Sequence, residues 1–322
     1  MAAKPFPILF IGPSRIADAV LASGLIRKLA DEAPGARFTL VVGPDAAPLF
    51  TEVPGLDALI VQETGKGWGQ AFGLWSRLRH TRWSLIVDMV GTPAARLLRA
   101  ERRAAPPRAL SEPVHRVIEA AALLTLEGDP PAPFLFTNDE IEARAVELLG
   151  EGGPLLALAP ASDWLGKTWP IERFARAAIE LLADEGPMAG GRLLVLGGQE
   201  DMRYVEPLVR TLPRDRVIDL TGQLDPLTSL AVLKQARLFI GNDTALMHLA
   251  AAAGAPTLGL FGPSDDRLYA PWGPRARVVR GPREFEQFKA VDPGLNQTIG
   301  HMMDLPVDTV VEAAKALLEE TA

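Results

Sequence analysis

A chain of 322 residues, 48% hydrophobic and 23% charged, is long enough for two separate cores, and 40 acidic against 33 basic side chains argue against a general nucleic-acid binder. It contains no cysteine, which excludes disulfides, thiolate metal sites and cysteine nucleophiles. No apolar run reaches the roughly 18 to 20 residues of a membrane-spanning helix, and the proline-broken N-terminus reads as a first strand and not as a signal peptide, so a cytoplasmic protein is expected.

In chain order, residues 7–12 read as a strand and 16–33 as a helix with apolar positions at Ile16, Val20, Leu21, Leu25 and Leu29, stopped by Pro34 and Gly35. Strands at 37–42, 58–62 and 84–90 follow, separated by helical stretches, and such alternation predicts a parallel sheet with helices on both faces. Residues 65–73 hold four glycines around Trp68 in a spacing that matches neither a P-loop nor a dinucleotide fingerprint, and read as a mobile loop. Residues 66–116 carry ten basic and three acidic side chains, a local +7 in a chain of net −7. With Arg96, Arg99, Arg102, Arg103 and Arg108 close together, this segment is either a solvated face or a patch for an anionic acceptor or anionic lipid headgroups. An apolar helix over 114–126 and a helix over 141–149, capped by Asn138 and Asp139, complete a first domain of residues 1–150, with a hinge at 150–154.

The second half starts the same pattern again: a strand at 155–159, the loop ASDWLGKTWP, and a helix from Pro170 to about residue 185. A strand at 192–196 leads into GGQED and a helix, a short strand lies at 217–220, and Asp225 with Pro226 caps a helix to 235. The strand at 238–241 then meets Asn242, Asp243 and Thr244 before a helix at 247–253 that Gly254 and Pro256 close. After an irregular stretch at 271–293 with one short strand at 277–280, a last helix at 306–320 could cross back to brace the first lobe. The domains expected are therefore 1–150, 151–305 and a terminal helix at 306–322.

Three places invite chemistry. Asn242, Asp243 and Thr244 stand where a buried strand turns into a helix, which makes either a structural cap or an anion site, and His248 follows Thr244 by one helical turn. Asp18 sits in the first turn of a helix, where a carboxylate gains from the helix dipole by about 0.3 to 1 kcal/mol. Lys167 stands just before a helix start, against that gradient, a placement an anionic ligand would explain.

The motifs resemble the ADP-heptose:lipopolysaccharide heptosyltransferases of glycosyltransferase family 9 over nearly the whole chain. An S-x-I-G-D-like opening stands as Ser14, Arg15, Ile16, Ala17 and Asp18; a K-x-W-P-x-E-x-F pattern as Lys167, Trp169, Pro170, Glu172 and Phe174; and G-G-x-x-E as Gly197, Gly198 and Glu200. A D-(S/T)-G-x-x-H-L-A-A-A pattern begins at Asp243 and Thr244 and runs through His248, and P-T-x-x-L-F-G-P-(S/T)-D covers residues 256–265. The chain differs from the pattern at Ala17 and Ala245, where the family has glycine, and in the late loop, where Asn296, His301, Met302 and Met303 stand in a stretch that often carries cysteines in relatives.

The resemblance implies an α/β protein of GT-B type, two Rossmann-like lobes with parallel sheets facing across a cleft, that transfers a sugar with inversion and without a metal or other cofactor. The donor implied is a nucleotide-sugar, ADP-heptose, and the acceptor a lipid-linked glycan, a lipopolysaccharide core or related surface glycan, met at the cytoplasmic face of the inner membrane. By matched position, Asp18 is the general base and Lys167 its partner in catalysis. Ser162, Glu200, Leu224, Asp243, Thr244, Ala245 and His248 hold the donor, and Arg96, Arg99, Arg102 and Arg103 face the acceptor. Two other readings compete: a non-catalytic nucleotide-sugar or glycan-binding relative, motivated by Ala17 and Ala245, and a nucleotide-sugar epimerase of similar architecture.

Overall fold

The computed structural model describes residues 5–62, 68–106, 113–295 and 297–322, which fall into two compact units, 1–138 and 139–322. The first is built on five parallel strands, β1 (Phe6–Ile11), β2 (Ala36–Val42), β3 (Leu56–Val61), β4 (Trp83–Asp88) and β5 (Ala100–Ala104), in the order β3-β2-β1-β4-β5. The second holds six, β6 (Leu155–Ala159), β7 (Arg192–Val195), β8 (Val217–Asp219), β9 (Ala236–Asn242), β10 (Thr257–Phe261) and β11 (Ala276–Arg280), in the order β11-β10-β9-β6-β7-β8. Counted from its own first strand, the second sheet reads 3-2-1-4-5-6, the dinucleotide-fold order, and the first sheet is the same arrangement without a sixth strand. Two Rossmann-like parallel sheets are therefore what the alternating pattern becomes.

In the first unit, Leu9, Ile11, Val41 and Ile86 on the sheet bury Ala71, Leu74 and Leu78 of the helix Trp68–Leu78 together with Ala94, Ala95 and Leu98. The opposite face carries the helix Ile16–Glu32, whose residues 19–26 are buried in an unbroken run. A helix on an open surface shows a stripe and not a full ring of burial. Here the outer side is covered by the segment at 131–134: a Cβ on Gly24 would lie 2.4 Å from the Pro131 carbonyl oxygen, so only glycine lets this segment approach. Ser23 Oγ takes a hydrogen bond from the Phe134 amide at 2.9 Å, fixing the same contact.

The second unit begins at Asp139, twelve residues before the expected start at 151. The helix Asp139–Leu149 packs on the helix Pro226–Leu233, Lys234 pairs with Glu142, and Arg192 Nη1 donates to the Leu149 carbonyl at 2.6 Å. The terminal helix Val307–Glu320 belongs to the second unit: Val310, Val311, Ala314 and Leu317 enter that unit's core with Phe174, Leu238 and Leu258. Three further expectations change. Residues 100–104 form an edge strand where only a basic face or loop was expected; the apolar helix at 114–126 is confined to Arg116–Ala122; and residues 285–291 form a helix inside the irregular stretch. The glycine-rich segment lies partly outside the described residues, and its remainder opens the helix Trp68–Leu78.

Candidate active site

Because every strand is parallel, all strand-to-helix loops of a unit leave from one edge of its sheet, and the switch in strand order marks where ligands bind. In the second unit that switch lies between β6 and β9. The loop after β6 carries Ser162 and Lys167, and the loop after β9 carries Asp243 and Thr244. The loop after β7 carries Glu200 and the one after β8 carries Leu224. With strands about 4.8 Å apart, Thr244 and Leu224 leave strands separated by about 14 Å along this edge.

Asn242 ties the centre together. Fully buried at the end of β9, its side chain accepts from the Trp169 amide at 2.9 Å and donates to the Pro160 carbonyl at 2.7 Å, so it grips both ends of the loop that holds Lys167. It is a strand residue with a bridging side chain, not one of three caps. Trp169 is itself fully buried, packs edge-on against Phe174 and donates to the Leu305 carbonyl at 2.9 Å. Trp164 reaches the Gln297 carbonyl at 3.0 Å. Within the loop, Ser162 Oγ is engaged with Thr168 Oγ1 at 2.8 Å and the Trp164 carbonyl at 2.8 Å, so its hydroxyl shapes the loop. Lys167 Nζ lies 2.8 Å from Asp163, which is 71% exposed; an aspartate four residues before the lysine thus meets the charge whose placement before a helix start pointed to an anionic ligand.

Thr244 occupies the cap position of the helix Ala245–Ala252, yet its Oγ1 is buried and makes no hydrogen bond among the described residues. Ala245, half-buried, opens the helix. His248 is not at the surface beside Thr244 as the one-turn spacing suggested: its side chain is 1% exposed and lies 3.8 Å from Asp243, beneath the loop, with Tyr269 alongside. Glu200 is exposed and folds back over Gly198, and Leu224 is half-buried beside it in sequence with Asp225, whose carboxylate caps the helix Pro226–Leu233. Burial alone would raise the Asp225 carboxyl, but bonds from the Thr228 hydroxyl and amide and the Leu227 amide outweigh it and hold the group below its ordinary range. After β10, Asp265 is held low by Arg267, which grips it with two nitrogens at 2.8 and 2.7 Å.

In the first unit the switch lies between β1 and β4. Asp18 is half-buried in the first turn of the helix after β1. Its side chain makes no hydrogen bond or ion pair among the described residues, and Ala17 precedes it, half-buried. On the neighbouring strand, Asp88 ends β4 as the ladder partner of Ile11, 3% exposed, and its two oxygens collect the amides of Val90, Gly91 and Thr92 and the Thr92 hydroxyl. Burial pushes its carboxyl above the usual range even against those bonds. Asp88 lines a cavity of about 330 Å³ with Ile86, Val90, Pro106, Arg96 and Arg103. The four arginines therefore separate: Arg96 and Arg103 face this cavity, whereas Arg99 and Arg102 do not line it. Arg103 also donates to the carbonyls of Ala95 and Leu98, ending the short helix Pro93–Leu97. Neither Asn242 nor Asp88 was singled out for these roles by sequence. The only trace of Asp88 is a lone acid closing the apolar run SLIV. Among the described residues, no group of three or more His, Asp or Glu side chains converges as a metal-binding set would.

This geometry can be set beside known proteins. The sequence profile of glycosyltransferase family 9 (heptosyltransferase) matches residues 87–296. Lipopolysaccharide heptosyltransferase 2 of Salmonella typhimurium is 23% identical over 97% of this chain and 99% of its own. Among solved structures, a family 9 glycosyl transferase from Veillonella parvula matches with a TM-score of 0.80 at 20% identity, covering 99% of both chains. The E. coli ADP-heptose lps heptosyltransferase II matches with a TM-score of 0.75 at 20% identity, covering 98% of this chain and 100% of that one. The profile takes in Asp88 at the end of β4 and every strand-to-helix loop of the second unit just described, across well over half of the sequence, and the chain belongs to glycosyltransferase family 9.

Proposed function

We propose that the protein transfers heptose from ADP-heptose, with inversion and without a metal, to a lipid-linked core glycan acceptor at the cytoplasmic face of the inner membrane. The observation that carries the donor half is the Thr244 hydroxyl, buried and without a hydrogen bond at the start of an eight-residue helix, on the strand next to the one that leads into Lys167. A buried hydroxyl left unbonded costs about 1 to 3 kcal/mol, and a diphosphate oxygen at a helix N-terminus would satisfy it. Lys167 would exchange an exposed Asp163, in a contact worth no more than about 1 kcal/mol, for that same diphosphate. Glu200 holds the ribose hydroxyls and Leu224 packs on the base, one and two strands further along the edge from β6. The sequence holds no D-x-D motif, so Lys167, Thr244 and the helix amides are the groups assigned to the departing charge.

In the transfer, an acceptor hydroxyl attacks the anomeric carbon from the side opposite the diphosphate. The C–O bond to the diphosphate breaks, ADP leaves with the electron pair, and Asp18 takes the hydroxyl proton. A carboxylate with no hydrogen bond or ion pair among the described residues is suited to that step. The lipopolysaccharide named for the Salmonella relative and the ADP-heptose named for the E. coli structure support the substrates. The test is D18N assayed with ADP-heptose and a deacylated core acceptor. Turnover should fall about 10²- to 10⁴-fold while ADP affinity stays within twofold. Unchanged turnover removes Asp18 as the base, and failure of wild type to bind ADP in preference to UDP, GDP, CMP and dTDP removes the donor.

A further inference from the structure

We propose that the surface formed by the helices Trp68–Leu78 and Pro93–Leu97 docks on an anionic lipid bilayer. The two helices pack on one another and on the same face of the first sheet, burying Ala71, Leu74, Leu78, Ala94, Ala95 and Leu98. What they leave outside is unusual for a water-facing surface: Phe72 is 69% exposed and Leu97 65% exposed, the two most exposed large apolar side chains among the described residues. Phe72 leans on the half-buried Trp75 at 5.8 Å between ring centroids, and the Arg79 guanidinium lies 5.1 Å from the Trp75 ring. Apolar and aromatic tips beside guanidinium groups are the composition of a helix lying in a membrane interface. Isolated exposed apolar residues need no explanation; a pair on two touching helices within the one strongly basic segment is a different matter.

Charge selects the occupant. The segment 66–116, which contains both helices, is +7 in a chain of −7, so an anionic surface attracts this segment. Arg77, Arg79, Arg96 and Arg99 are exposed and form no ion pair among the described residues, leaving their charge for a partner. A nucleic acid would use the arginines but gain little from Phe72 and Leu97, whereas a bilayer of anionic headgroups over hydrocarbon uses both. No described helix is long and apolar enough to cross a membrane. The proposal deepens the reading of a lipid-linked acceptor, and its test uses neither donor nor acceptor, so each can fail alone.

The experiment is co-flotation of the full chain with vesicles of phosphatidylglycerol and phosphatidylethanolamine, against vesicles of phosphatidylcholine, at low salt. Binding is expected on the anionic vesicles and at least tenfold less on the neutral ones. The F72D/L97D double variant, exposed positions that leave the thermal melt in place, should lose binding at least tenfold, and F72L/L97M should keep it. R77Q/R79Q should lose about 25-fold, at about fivefold per basic group near such a surface. Equal binding to neutral vesicles, no binding to either, or an F72D/L97D variant that floats like wild type overturns the proposal. Release by inorganic phosphate, beyond that by chloride of equal ionic strength, overturns it too, in favour of a free-phosphate site.

Discussion

Asn242→Ala removes the buried bridge between the end of β9 and the Lys167 loop. The side chain is fully buried and satisfies one amide and one carbonyl, at 2.9 and 2.7 Å. Leaving each unbonded costs about 1 to 3 kcal/mol, so the second unit should lose about 2 to 6 kcal/mol. Asn242→Asp sharpens the reasoning. A protonated carboxyl can still donate to the Pro160 carbonyl and accept from the Trp169 amide, whereas the carboxylate has no proton to donate and faces a carbonyl oxygen in a fully buried site. Burial therefore raises its folded pKa above the unfolded value of about 3.9. For such a group the stabilising contribution is full below the unfolded pKa and is lost as pH rises toward the folded one, at up to about 1.4 kcal/mol per pH unit. The variant should thus approach wild type near pH 4 and fall steadily behind it above. Because the two units can unfold separately, urea titration should be read by hydrogen exchange in peptides from β6 and β9. An Ala variant within about 1 kcal/mol of wild type, or an Asp variant whose deficit is flat in pH, refutes the bridge.

Other expectations follow from single contacts. Gly24→Ala drives a methyl into the Pro131 and Ala132 carbonyls, at 2.4 and 2.5 Å, and should destabilise the first unit by about 1 to 3 kcal/mol in urea melts of that unit; a neutral result would mean the 131–134 segment moves freely. Thr244→Val, which removes a hydroxyl bonded to nothing in the described structure, should leave the melting temperature unchanged or raised while calorimetry shows weaker ADP binding; unchanged binding would take Thr244 out of the donor site. Asp225 has a folded pKa below its unfolded value, so its contribution is present above about pH 4 and lost as pH falls through the folded value. The stability gap between wild type and Asp225→Asn should therefore close on acidification, and a gap that widens contradicts the assignment.

The alternation of apolar runs with helical stretches made both parallel sheets legible, because buried parallel strands are written as near-continuous Leu, Ile and Val. β5 was not legible. Its sequence AERRA lies at a sheet edge, where one face and one ladder side meet solvent and arginines are tolerated. The motif positions fell on the expected carboxyl edges, since the fold fixes where strands end. Which side chain points into that edge was not written locally. His248 shares a helical face with Thr244 but is turned inward against Asp243, and Asn242, read as a cap, is bonded to residues 73 and 82 positions away. Lys167 looked uncompensated until Asp163 came round one turn of the loop.

The grip of the late segment on the Lys167 loop has a consequence for synthesis. Trp164, Trp169 and Arg173 bond the carbonyls of Gln297 and Leu305, partners 132 to 136 residues downstream. A ribosome adding about 5 to 20 residues per second delivers those partners only seconds after the loop has emerged. During that interval the strands of the second sheet can pair, but the donor-side loop lacks its outer hold. The Lys167 loop therefore gains its full set of hydrogen bonds only in the nearly finished chain, and a translation product stopped before residue 297 would carry every motif up to Asp265 without the means to fix that loop in place.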